Sequence, residues 1–315
     1  MTGWKRVSEH GAGRERRSSR PVPRPWVGIV LAALALSSLG AMPGRGAARA
    51  DTGCGAGATG ATKSVEGLPH DTGEASGLAT SMGQPGVAWL VRDSGHPASL
   101  YAVRIGPDGT ASSVREIPVT GAENHDWEDV TYFTAPDGSG HLWVVESGQG
   151  GGNRVIYDIP EPDAEVATSV QPVARYTYSY PDGNTNTESA FTWGGRLVLV
   201  KKTFPAQVYR FDAPLSTGGV NEPVLLGELT DSNDVSVVKP SPDGRWIATA
   251  THDTVYLYRN PTNPGALEGF LDQEPFHVLV AAPEDNVESG DFFPAGSCQL
   301  FLASEQRNTY RVNSG

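Results

Sequence analysis

From residue 74 onward the chain repeats one arrangement of polar and apolar positions five times. An acidic residue opens a short apolar run at Glu74-Ala-Ser-Gly-Leu, Glu128-Asp-Val-Thr-Tyr, Glu188-Ser-Ala-Phe-Thr, Asp234-Val-Ser-Val-Val and Glu288-Ser-Gly-Asp-Phe, at spacings of 54, 60, 46 and 54 residues. Each run then meets a turn signal: Gln84-Pro-Gly, Pro136-Asp-Gly, Trp193-Gly-Gly, Pro242-Asp-Gly or Pro294-Ala-Gly. Gly and Pro supply turn dihedrals, so each unit predicts a β-hairpin. The second strands, over 87–91, 142–145, 197–200, 246–250 and 300–303, are strongly apolar. Their partners carry Tyr101, Tyr157, Tyr209, Tyr258 and Tyr310, spaced 56, 52, 49 and 52 residues apart. A fourth strand is expected over 113–119, 173–178, 224–229 and 277–280.

Two independent markers thus share a period of about 50 residues, and no segment after residue 50 sustains a helical period. Four short strands per unit, repeated radially, predict an all-β fold: a β-propeller of five four-stranded blades. A β-sandwich with similar hairpins is the alternative. The fifth unit ends after its third strand, so its outer strand must come from elsewhere, and 62–67 is the available segment. The propeller domain is therefore read as 62–315.

Residues 1–25 are basic, 26–42 are apolar, and Ala48-Arg49-Ala50 offers a small-x-small cleavage pattern, so 1–50 reads as a signal peptide. The apolar core is short for a bilayer span, which disfavours the rival reading as an anchor. Residues 51–61 read as a flexible N-terminal segment, and no span is expected after cleavage. Export into an oxidising compartment makes Cys54 and Cys298, the two cysteines of the chain, a disulfide that staples the two ends. The first 50 residues hold nine Lys/Arg and two Asp/Glu, leaving 15 against 34 in the remainder. So acidic a surface argues against a nucleic-acid partner. A secreted monomer is expected.

In a propeller the first strands line the central channel, which brings Glu74, Glu128, Glu188, Asp234 and Glu288 together at one mouth, with Asp126, Asp129, Asn186, Asn233 and Asn286 beside them. The ends of the second strands contribute Asp93, Glu146, Lys201, Lys202, His252, Asp253 and Glu305. Carboxylates so gathered repel one another unless a cation binds, some take up protons, or Lys and His approach. An oxygen-only donor set suits Ca²⁺ better than zinc. The same acids could instead tie the blades together through backbone N–H groups. Lys202 and His252 are each the single residue of their type at that position among the five units, which makes them candidates for electrophile or proton carrier; Asp93, Asp129, Glu146 and Glu305 would support the site or the substrate. Gly148-Gln-Gly-Gly-Gly lacks the Lys-Ser/Thr of a phosphate loop.

The stretch Glu74-Ala-Ser-Gly-Leu with Trp89-Leu-Val-Arg-Asp-Ser-Gly and Ser99-Leu-Tyr-Ala-Val resembles the opening of secreted bacterial phytase-like propellers, a type that includes exported propellers of actinobacteria. Asp126-Trp-Glu-Asp-Val with Leu142-Trp-Val-Val-Glu-Ser-Gly looks like a second blade of that type. The resemblance covers most of 66–315. Calcium-dependent phytases and lactonases hold Ca²⁺ on carboxylates at the channel mouth, which implies that role for Glu74, Glu128, Glu188, Asp234 and Glu288. Those relatives are generally six-bladed, whereas five units are counted here, and of the basic residues a phosphate would need, Lys201, Lys202 and Arg92 offer themselves. The expected function is a calcium-binding propeller that hydrolyses phosphoesters or lactones. A non-catalytic propeller binding a glycan, another small molecule or a protein at the mouth is the alternative, and a purely structural envelope protein a third.

Overall fold

A computed structural model describes residues 54, 61–63, 67–68, 72–106, 110–147, 154–183, 186–230, 232, 234–252, 254–260, 266–280 and 286–313. The expected signal peptide, most of segment 51–61, the loop 148–152, Asn233 and Asp253 lie outside the described residues.

Five sheets form a five-bladed propeller; four are antiparallel and four-stranded as expected, while the sheet of blade II gains a fifth strand, Val220–Asn221, parallel to Ala174–Tyr178. Blade I comprises Ala75–Thr80, Val87–Arg92, Ser99–Ile105 and Ala111–Pro118. Blade II comprises Trp127–Thr134, Gly140–Glu146, Val155–Pro160 and Ala174–Tyr178. Thr187–Trp193, Arg196–Lys201, Ala206–Arg210 and Val224–Leu229 make blade III. Val237–Pro240, Trp246–Ala250, Thr254–Arg259 and His277–Val280 make blade IV. Blade V holds Val287–Phe292, Gln299–Ser304 and Thr309–Asn313, and the N-terminal strand Ala61–Lys63 completes it by pairing antiparallel with Thr309–Asn313. The donated strand starts one residue earlier and is shorter than the expected 62–67. The first strands neighbour one another in cyclic order, so the ring is closed.

Side chains alternate across a strand, and that alternation builds the core. In blade I, Trp89 and Val91 face blade II and join Trp127, Val130 and Leu142. Ala88 and Leu90 point the other way, into the seam with blade V that holds Phe293 and Phe301. Each of the five seams has its own buried cluster of this kind. The five tyrosines of the third strands all lie in the seam with the preceding blade, which explains why one residue type recurs in that frame. At the Pro-Asp-Gly hairpins, Gly138 and Gly244 take φ of 89° and 65°, the left-handed region their turns require.

Cys54 and Cys298 form a disulfide across 244 residues, with Cα atoms 4.9 Å apart, and Cys54 joins the buried cluster between blades IV and V. The bridge thus sits beside the strand exchange that closes the ring.

Candidate functional site

The acids do converge, but in a pattern the linear motif conceals. In blades I, II, III and V the pairing of first and second strands is broken by a one-residue bulge, at Ser76, Glu128, Glu188 and Glu288 respectively. A bulged residue has no partner opposite it and its side chain is re-aimed, here toward the channel. Two residues earlier stand Glu74, Asp126, Asn186 and Asn286, whose backbone carbonyls accept the N–H groups of Asp93, Ser147, Lys202 and Glu305. Blade IV follows blade I: Ser236 Oγ donates to Val287 O as Ser76 Oγ donates to Trp127 O, and Asp234 stands two residues before it as Glu74 does.

The mouth therefore has three tiers rather than one ring of equivalent acids. Glu74, Asp126, Asn186, Asp234 and Asn286 form the first. Glu128, Glu188 and Glu288 form the second, where blades I and IV carry serines. Asp93, Ser147, Lys202 and Glu305 form the third. Glu74 and Asp234 hold left-handed backbone, φ 58° and 51°, a conformation that costs a non-glycine residue about 1 kcal/mol.

These tiers surround a cavity of about 420 Å³ at one end of the channel, lined by the carboxylates of Glu74, Asp93, Asp126, Glu128, Glu188, Asp234, Glu288 and Glu305, with Lys202 their sole cationic companion among the described residues of the lining. Asp126, Glu128 and Glu188 are buried, whereas Glu74 and Asp234 are exposed at the rim. Carboxylate oxygens of Asp93, Asp126 and Glu128 lie within 4.8 Å of one another. Ser147 Oγ donates to Asp126 and lies 3.4 Å from Glu128 Oε1. Lys202 Nζ donates to Glu188 Oε2 at 3.2 Å, and His252 Nε2 stands 3.3 Å from Glu288 Oε1. Glu74 meets His96 at 2.7 Å, and Glu305 accepts Asn286 Nδ2 at 3.1 Å.

Burial and mutual repulsion set the protonation of the cluster. Desolvation, then the charges of Glu188, Asp126 and Asp93, push Glu128 well above the usual carboxylate range. Desolvation likewise raises Asp93. Glu188 and Glu288 are pushed up to about 7, chiefly by burial, with Lys202 pulling both down. Burial works against the charge of Lys202, but Glu188 and Glu288 outweigh it and hold the ammonium above its ordinary value. From about pH 4.5 to about pH 7 the folded chain thus keeps protons on Glu188 and Glu288 that the unfolded chain has released, so stability falls as pH rises through that window. Urea midpoints measured in chelator should drop between about pH 5 and about pH 7.5; a midpoint that rises over that range would contradict the protonated mouth.

Three of the residues grouped with this site by sequence lie elsewhere. Glu146 and Lys201 are one residue out of phase with Ser147 and Lys202, so the alternation of the strand turns them away from the channel. Glu146 accepts the His125 N–H, and Lys201 is wholly buried against Asp182 at 2.6 Å and the rings of Tyr180 and Tyr209. Asp129 points into the middle of the channel, where it accepts Ala190 N and Ser189 Oγ and pairs with Lys239. That is the blade-tying role considered for the acids as a group. Lys239 and Asp291 were missed, although a charged residue inside the inner runs Val-Ser-Val-Val-Lys and Glu-Ser-Gly-Asp-Phe was the available signal.

No family model matches the chain, and no curated protein matches it. The phytase-like kinship suggested by the blade motifs therefore has no sequence match behind it, and what stands is the five-bladed propeller. Among solved structures, the PQQ-bound form of aldose sugar dehydrogenase from Streptomyces coelicolor is similar at a TM-score of 0.48 and 11% identity, over 80% of this chain and 98% of that chain. No activity is carried over from it.

Proposed function

We propose that the chain is an exported propeller whose acidic mouth holds a calcium ion and hydrolyses a phosphoester or a lactone. The carrying observation is the trio Asp93, Asp126 and Glu128, whose oxygens lie within 4.8 Å of one another beside a cavity of about 420 Å³. Two oxygens bound to one Ca²⁺ at 2.3–2.6 Å can be at most about 5 Å apart, so the trio fits a single ion, and its oxygen-only chemistry favours a hard cation. A cation there would also relieve the repulsion that raises Glu128.

A bound ion would supply positive charge to a carbonyl or phosphoryl oxygen. Glu188 and Glu288, near 7, sit where a general acid or base is useful at neutral pH. Lys202, fixed by Glu188, offers an ammonium to an oxyanion, and His252 stands within reach of Glu288 as a proton carrier. The disulfide supports an oxidising compartment, and among the described residues no helix is long and apolar enough to cross a membrane.

The test is thermal melting of residues 51–315 after exhaustive chelation, then with Ca²⁺ or Mg²⁺ restored. At a hundredfold excess over Kd a native-state ligand contributes about 2.7 kcal/mol, so a calcium-selective rise in Tm is expected. Glu128→Gln should melt no lower than the parent in chelator, because a buried carboxyl that resists ionisation is replaced by a neutral amide of the same shape, yet lose the calcium response. A Glu128→Gln variant that still responds fully to calcium would remove the ion from this trio. With p-nitrophenyl phosphate and a panel of lactones as substrates, Glu188→Gln is expected to lower kcat by about 10²–10⁴. Unchanged turnover would end the catalytic assignment, and a calcium response without turnover on either class would point to a binding propeller.

A further inference from the structure

The first strands run six to eight residues in four of the blades, so the channel has a second mouth roughly 20 Å from the acidic one. There the strand ends enclose a larger cavity, about 710 Å³. Its walls include Tyr132, Phe191 and Trp193, and its lining also holds Lys239, Asp243 and Asp291. Pockets of this volume, mostly apolar with a few convergent polar groups, are where small organic molecules bind.

The polar groups of this cavity are unevenly committed. Lys239, the sole cation among the described residues of the lining, places its ammonium 2.8 and 3.0 Å from the two oxygens of Asp129 and donates to the carbonyls of Ala190 at 2.9 Å and Val130 at 3.3 Å. Its charge is matched by Asp129 and its protons are spent. Three of the lining hydroxyls are spent as donors as well: Thr80 donates to Phe292 O, Thr192 to Tyr132 O and Ser241 to Asp243. Asp291 accepts two backbone N–H groups, from Thr80 at 2.7 Å and Phe292 at 2.8 Å, and a carboxylate has lone pairs for more. With the carboxylates of Asp243 and Asp291 in its lining and the ammonium of Lys239 neutralised, the cavity has acceptors and negative charge to offer.

We propose that this second mouth is a binding pocket for a small organic ammonium compound, with its nitrogen on Asp291 and its apolar body against Tyr132, Phe191 and Trp193. An ammonium group has donors and a positive charge, which the Asp291 carboxylate can accept and balance, and aromatic walls add cation–π attraction. An anion would meet Asp291 and Asp243 with Lys239 already neutralised. Burial pushes the Asp291 carboxyl up while Lys239 pulls it down, so a second cation at that oxygen would relieve a remaining desolvation cost.

Calorimetric titration of the protein with benzylamine, and with benzyl alcohol as its neutral counterpart, tests the pocket without altering any residue. Benzylamine should bind one-to-one, at least about tenfold more tightly than the alcohol. Asp291→Asn should weaken benzylamine by about tenfold or more, and Trp193→Ala should weaken it while leaving the preference for the charged ligand. Glu128→Gln, at the opposite mouth, should keep the affinity. Equal binding of amine and alcohol, an affinity unmoved by Asp291→Asn, absence of saturable benzylamine binding, or a loss seen in Glu128→Gln instead would each overturn the proposal. Should Asp291→Asn fail to fold, the amine-to-alcohol ratio and Trp193→Ala decide it.

Discussion

Lys239→Met should destabilise the propeller by about 3–5 kcal/mol, the cost of stranding a buried charge without its partner. Lys239 and Asp129 have side chains only 4% and 3% exposed, and they join the inner strands of blades IV and II across the channel. The same ammonium donates to Ala190 O on blade III, and Asp129 accepts Ala190 N, so three blades share one polar knot. Burial already raises the Asp129 carboxyl even with the lysine present. Without Lys239 the carboxylate keeps three donors, Val130 N, Ala190 N and Ser189 Oγ, but no countercharge. The double variant Asp129→Asn/Lys239→Met should recover a large part of the loss, because the charge to be desolvated is removed with its partner. Urea unfolding of both variants measures this. A single variant within about 1 kcal/mol of the parent, or a double variant worse than the single, would show that the knot does not hold the ring.

Opening the Cys54–Cys298 bridge should lower stability by a comparable amount, about 2–5 kcal/mol, seen as a Tm roughly 5–15 °C lower. The bond closes a loop of 244 residues, and cross-linking so long a segment removes much of the freedom of the unfolded chain. It also secures the Ala61–Lys63 strand, whose pairing in blade V spans only three residues. Cys54 N donates to Asp243 Oδ2 on blade IV at 3.0 Å, so the N-terminal segment is tied to two blades at once. Scanning calorimetry of Cys54→Ala/Cys298→Ala against the oxidised parent measures the effect. Coincident melting curves would mean that strand pairing alone closes the ring.

These two effects bear on the mouth. The carboxylates there are held close together against their own repulsion, and only a ring closed from both sides can keep them so. A ring loosened at the Lys239 knot or at the Cys54–Cys298 bridge should let the acids separate, and would weaken the proposed calcium site with stability.

How much of this was readable in one dimension depended on the range of the forces involved. The hairpins were legible because turn dihedrals and strand alternation are local: Pro136-Asp-Gly and Pro242-Asp-Gly each specify a turn, and the tyrosines from Tyr101 to Tyr310 each mark a seam. The borrowed outer strand and the disulfide were legible by counting, since one strand and two cysteines were left over. The tiers of the mouth were not. Glu74 and Glu128 occupy the same place in their linear motifs, yet the bulges at Ser76 and Glu128 make Glu74 equivalent to Asp126 instead. Glu146 and Lys201 were assigned to the mouth by nearness in sequence, and a phase difference of one residue sends each to the opposite face of its strand.

By itself, then, the sequence determined the blade count, the order and approximate places of the strands and the end of the channel at which the acids gather, because each follows from contacts between near neighbours in the chain. Which acids sit within reach of one ion, which lysine lies in the mouth and which in the knot, and the existence of a second cavity with Asp291 at it were decided by the tertiary structure. They depend on how five inner strands are phased against one another around a closed ring. That phase is set by bulges and by packing between residues 50 or more positions apart, to which no local pattern is sensitive.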